Sequence, residues 1–129
     1  MSRKDEVEIL LTRAREFLKT ADYQIDNCLY NLAAFNLEQS LQLFLKAKLL
    51  ENGMEYPRTH SLRTLLQLLS DIVGEKYRDI LKNMLDKYLL ELGILEDAYI
   101  SSRYLVREFK KEEVEKLRKA VKELMNNVP

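Results

Sequence analysis

The sequence predicts an all-α protein, a five-helix up-and-down antiparallel bundle with four long helices and one short one. Three observations predict it. Apolar residues recur at three- and four-residue steps through most of the 129 residues, the mark of amphipathic helices. No stretch alternates with period two for long, so no sheet is expected. Three glycines and two prolines leave few breaks, and long helices joined by short loops pack as antiparallel neighbours. There is no repeat, low-complexity segment or linker, so residues 1–129 read as one domain; at 47% apolar the chain can bury a single core.

The first helix runs from about Arg3 to about Ile25, with Val7, Leu10, Leu11, Ala14, Phe17, Leu18, Ala21 and Ile25 on one stripe. The second, from about Leu29 to Asn52, is apolar almost all round, through Leu32, Ala33, Leu37, Leu41, Phe44, Leu45 and Leu49, and should be the most buried. Gly53 ends it, because glycine takes the left-handed conformation of a helix C-terminus without steric cost. The short third helix starts near His60 or Ser61 and ends near Val73, with Leu62, Leu65, Leu66 and Leu69 inward. The fourth runs from about Glu75 to about Tyr99 with Leu81, Met84, Leu85, Tyr88, Leu92 and Leu95 on one face; Gly93 inside it costs about 1 kcal/mol against alanine and is a candidate kink. A polar connection, SSRYLVREFKK, leads to the fifth, from about Glu112 to Asn127, with Val114, Leu117, Val121, Leu124 and Val128 inward.

Composition excludes several function classes. Lys plus Arg and Asp plus Glu each number 21, so the formal net charge is zero, which argues against a non-specific DNA binder because phosphate neutralisation supplies most of that affinity. Cys28 is the only cysteine, so neither an intrachain disulfide nor a Cys/His zinc cluster can form. It reads as a small hydrophobe near a helix start, and its isolation fits a reducing, cytoplasmic setting. The N-terminus MSRKDEVEILLTR mixes acids and bases before any apolar run and is no signal peptide. The most apolar region, residues 27–45, is broken by Glu38 and several amides, so it reads as a core helix rather than a membrane span. The chain carries no GxSxG, P-loop, GxGxxG or HExxH pattern, and no catalytic residue, metal site or cofactor is expected.

Three stretches can carry binding chemistry. In EYPRTHSL, residues 55–62, Pro57 pushes Tyr56 toward extended backbone, and Thr59 or Ser61 can cap the third helix; its main role is expected to be that helix start. A helix N-terminus also suits an anion, and Arg58, His60 and Arg63 cluster there, which makes Arg58 and His60 candidate ligand contacts. In YISSRYLVREF, Tyr99 and Tyr104 bracket Arg103: arginine can hold phosphate in a fork, tyrosine can stack on a base, and the alternative is an ion pair between two packed rings. Third is the polar stripe of the second helix, Glu38, Gln39, Gln42 and Lys46, which can pair with Arg103 or line a cleft but is expected to face solvent.

Two segments resemble the HEPN domain, the nucleotide-binding domain of higher eukaryotes and prokaryotes. One is YNLAAFNLEQSLQLFLKAKLLENGMEYPRTHSLRTLL, in which Ala33, Ala34, Glu38, Gln39, Lys46, Ala47, Gly53, His60, Ser61 and Leu62 follow the family pattern; the other is YISSRY, residues 99–104. The resemblance implies a five-helix bundle, frequent homodimers, and a separately encoded nucleotidyltransferase as partner, sometimes in toxin–antitoxin pairs. Toxin ribonucleases of the family carry an arginine followed four to six residues later by a histidine. Here those positions after Arg103 hold Glu108, Phe109 and Lys110, and Gly53, Met54 and Glu55 stand where an arginine would precede His60. The leading expectation is therefore a non-catalytic protein that binds a nucleotide or similar phosphate ligand beside the second and fourth helices. The alternatives are a divergent ribonuclease using Arg103 and a ligand-free interaction subunit.

Overall fold

The computed structural model of the chain describes residues 1–104 and 107–129, and of 101–104 the helical backbone alone. Among the described residues there are six helices and no strand, against the five helices expected. Helix α1, Arg3–Asp26, starts at Ser2, whose hydroxyl accepts from the Asp5 amide at 3.2 Å. Helix α2, Tyr30–Glu51, follows after residues 27–29 and packs back along α1. The pair can approach closely because α1 presents Ala14 and Ala21, both fully buried, to α2. There the Ser40 hydroxyl donates to the Ala14 carbonyl at 2.7 Å, satisfying a buried polar group.

The turns after α1 and α2 have the same geometry. The Leu29 amide donates to the Gln24 carbonyl at 2.8 Å and the Cys28 amide to Ile25 at 3.1 Å; the Met54 amide donates to Leu49 at 2.9 Å and the Gly53 amide to Leu50 at 3.0 Å. Both turns pivot on a residue in left-handed backbone, Gly53 at φ +87° and Cys28 at φ +61°. Gly53 was expected in this position. Cys28 was not: it is exposed, and it occupies the turn itself rather than a packed helix start.

Helix α3, Leu62–Ile72, buries Leu62, Leu65, Leu66 and Leu69 as expected. The single helix expected over residues 75–99 is two, α4 (Glu75–Lys87) and α5 (Leu89–Tyr104). The break falls at Tyr88 (φ −108°, ψ 20°), not at Gly93. Packing accounts for it. Helix α4 lies against α3, with a few contacts to α6, while α5 lies against α2, so the chain must change direction between them. Tyr88 is buried at the change and donates its hydroxyl to Glu123, which also accepts from Lys87 Nζ at 2.9 Å. The segment expected as a polar connection from Ser101 is helical as far as Tyr104. Helix α6, Lys111–Asn127, closes the core with Val114, Leu117, Ala120, Val121 and Leu124. Its start is tied to α2, since the Asn31 side chain accepts from the Phe109 amide at 2.8 Å.

Helix α2 is central, touching α1, α3, α5 and α6. Leu37, Leu41, Leu45 and Leu49 are fully buried, while Leu32 near its start is 50% exposed. Burying a leucine is worth about 1.5–3 kcal/mol, so this row is a large contributor to the stability of the bundle.

Candidate functional site

The loop between α2 and α3 places the first group of candidates. The Thr59 amide turns back to the Pro57 carbonyl at 3.0 Å, and the Thr59 hydroxyl oxygen accepts from the Ser61 amide at 3.1 Å. Ser61 is the cap of α3: its Oγ accepts from the Thr64 amide at 3.2 Å. The same hydroxyl donates to Glu96 Oε1 on α5 at 2.8 Å. Glu96 also accepts from the Arg63 backbone amide at 3.3 Å, from Arg63 Nε at 2.9 Å, and lies 2.7 Å from its terminal nitrogen. The start of α3, which suits an anion, thus already holds an anionic side chain of the protein itself. Arg63 is engaged in that fork.

His60 and Tyr99 are brought together. Their rings stack at 4.1 Å between centroids and 22° between planes. Tyr99 continues the column onto Phe35 of α2, at 6.3 Å and 27°. His60 is exposed and Tyr99 half-buried. Arg58 is exposed and makes no ion pair among the described residues. Arg103 and Tyr104 sit on the last turn of α5, and their side chains lie outside the described residues.

The polar stripe of α2 corrects an expectation. It does not face solvent: Glu38 is fully buried and Gln42 is 6% exposed. The side chains form a ladder along one edge of the helix. Gln39 Nε2 donates to Glu38 Oε1 at 2.7 Å, Gln42 Nε2 to Glu38 Oε2 at 2.8 Å, and Lys46 Nζ to Gln42 Oε1 at 3.1 Å. The Lys46 ammonium then lies 5.5 Å from the centre of the Tyr56 ring, in the loop that leads to His60. Burial pushes the Glu38 carboxyl up from 4.5 to about 7, against the pull of the Gln42 and Gln39 amides and of Lys46, and with a further push from Glu96. Lys46 is shifted down by its own burial, opposed by Glu38. Spacing alone carried a signal for this ladder: Glu38, Gln42 and Lys46 recur every fourth residue, which places them on one line of a helix that is apolar elsewhere. What the spacing did not give is the facing Glu96, 58 residues away in sequence, nor Phe35 as the base of the ring column.

Among the described residues no group of three or more His, Cys, Asp and Glu side chains could hold a metal ion, and no helix is long and apolar enough to cross a membrane. The arrangement offers a flat ring column, an exposed arginine, Arg58, that makes no ion pair among the described residues, and a buried polar ladder, all at the meeting of α2, α3 and α5.

Fold and site together define a small all-α domain whose polar and aromatic side chains converge on its central helix. The chain belongs to the HEPN domain family, whose profile matches residues 7–129. A crystal structure of TT1696 from Thermus thermophilus has the same fold, with a TM-score of 0.72 at 22% identity over 99% of this chain and 97% of that one. A comparison with curated proteins returned no match.

Proposed function

We propose that this chain is a non-catalytic HEPN protein of the cytoplasm that binds a nucleotide or similar phosphate ligand at the α2–α3–α5 junction and acts with a separately encoded nucleotidyltransferase, in the manner of a toxin–antitoxin pair. The observation that carries the reading is the ring column. His60 lies flat on Tyr99 at 4.1 Å while itself exposed, which is the form of a stacking platform for a base. Arg58 and Arg103 are the cations assigned to the phosphate, and Tyr104 the neighbouring ring. Arg63 is left out of that set because Glu96 engages it.

The protein is proposed to act as a homodimer. Leu89 and Leu90, 50% and 73% exposed, form an apolar patch that Asp86, Lys87, Asp97 and Arg63 surround with both signs of charge. A second copy related by a twofold axis would cover the two leucines with its own. A monomeric mass by light scattering at micromolar concentration would count against this.

Calorimetric titration of mononucleotides into the wild type and into Arg58→Ala, His60→Ala and Arg103→Ala tests the site. A charged hydrogen bond is worth roughly 1.5–3 kcal/mol, so each arginine variant should bind about tenfold more weakly or worse. Equal binding by wild type and all three variants would remove the proposed site. RNA cleavage that disappears in Arg103→Ala would replace the reading with that of a ribonuclease.

A further inference from the structure

The ladder on α2 has a direction. Gln42 gives its amide nitrogen to Glu38 and its carbonyl oxygen to Lys46, 2.8 Å and 3.1 Å away. That orientation holds only while Glu38 acts purely as an acceptor. Its two oxygens already accept from two amide nitrogens, Gln39 on one and Gln42 on the other. A proton on the carboxyl is a new donor that needs an acceptor. Glu38 is fully buried, and its partners among the described residues are the side chains of Gln39 and Gln42, whose oxygens an amide presents by reversing. If Gln42 reverses, its nitrogen then faces the Lys46 ammonium, donor against donor, and Lys46 loses its acceptor.

From this geometry we infer that the Glu38–Gln42–Lys46 ladder is a proton-operated switch: protonating the carboxyl turns the Gln42 amide, releases Lys46, and thereby frees Tyr56 and the loop that carries His60. The proton comes from bulk water and no bond other than the new O–H is made. Among the described residues, the charged groups acting on Glu38 are Lys46 on its own helix and Glu96 on α5, itself held by Arg63 of α3. Lys46 approaches Tyr56 from α2, while Glu6 of α1 and Glu55 lie beside that ring. Burial pushes the carboxyl up to about 7, the range in which such a switch would respond to small changes of pH.

The test needs no ligand and so stands apart from the nucleotide proposal. In the isotopically labelled 129-residue chain, carrying His60→Gln to remove the only imidazole, the Glu38 carboxyl carbon, the Gln39 and Gln42 side-chain amides and the Tyr56 ring are followed by NMR from about pH 5.5 to about 8.5. The expected result is one shared midpoint for Glu38, Gln42 and Tyr56. Glu38→Gln should abolish the titration of Gln42 and Tyr56. Lys46→Met should leave Glu38 and Gln42 titrating and silence Tyr56. The switch is overturned if Tyr56 still moves in Glu38→Gln, if Gln39 alone follows Glu38 while Tyr56 stays still, or if Glu38 does not titrate in this range.

Discussion

Glu38 on α2 and Glu96 on α5 are close enough for Glu96 to push on the Glu38 carboxyl, yet they are satisfied by different kinds of donor. Glu96 is half-buried and takes a guanidinium fork, a hydroxyl and a backbone amide at a helix start. Glu38 is fully buried and takes two neutral amides. Neutral donors return less of the desolvation cost of a carboxylate than an arginine does. Fuller burial and weaker donors act together on Glu38: burial is the largest push on its carboxyl, and the two amides only partly oppose it.

The sharpest way to break this contrast is pH. A carboxyl raised from 4.5 to about 7 holds its proton more firmly in the folded state, so its stabilising contribution is complete below about pH 4.5 and is lost as pH rises through 7. At 1.36 kcal/mol per unit the loss is roughly 3 kcal/mol. Urea unfolding of the wild type should show this decline relative to Glu38→Gln, whereas Glu96→Gln should keep it. Parallel curves for wild type and Glu38→Gln would end the distinction. Glu123, lowered by the Tyr88 hydroxyl and Lys87, works in the opposite sense and only at more acid pH, where it loses its contribution as pH falls.

Next in size, Glu96→Ala should cost about 1–2 kcal/mol, since it removes a hydrogen-bonded arginine pair and a partner of the α3 cap. Thermal unfolding at a single pH checks it, and an unchanged midpoint would mean that the fork and the cap partner contribute nothing. Ser61→Ala should cost about 1 kcal/mol, more than Thr59→Ala, because Ser61 caps α3 and Thr59 only receives the Ser61 amide. His60→Ala should leave stability nearly unchanged, its ring being exposed.

One small effect is a gain. Cys28→Gly should raise stability by up to about 1 kcal/mol, because glycine adopts φ near +61° without the steric cost a β-carbon brings. Chemical denaturation reads it directly, and a loss would mean that the cysteine side chain contributes more than the turn strains.

That cysteine marks where reading the sequence stopped. Two turns of one geometry end α1 and α2, and glycine announces one of them while cysteine conceals the other. The buried faces of α3 and α6 were legible because each is strongly one-sided, leucines or valines at every third or fourth position. The break at Tyr88 was not, because it answers to α3 and α2, which the local pattern does not contain. Periodicity put Glu38, Gln42 and Lys46 on one line, but whether that line met water depended on α5, and α5 was expected to run on from α4 without interruption. His60 and Tyr99 were singled out as separate stretches; that they stack follows from where α3 and α5 cross.

The interruption at Tyr88 also has a mechanical meaning. An unbroken rod from Glu75 to Tyr104 would be about 45 Å long and would carry any tilt at its Tyr99 end across the whole molecule. Split at residue 88 into segments of 13 and 16 residues, it becomes two levers of about 20 and 24 Å. The pivot between them is bolted to α6 by the Tyr88 and Lys87 contacts with Glu123. Each segment can therefore take its own seat, α4 on α3 and α5 on α2, with α6 fixing the joint between them.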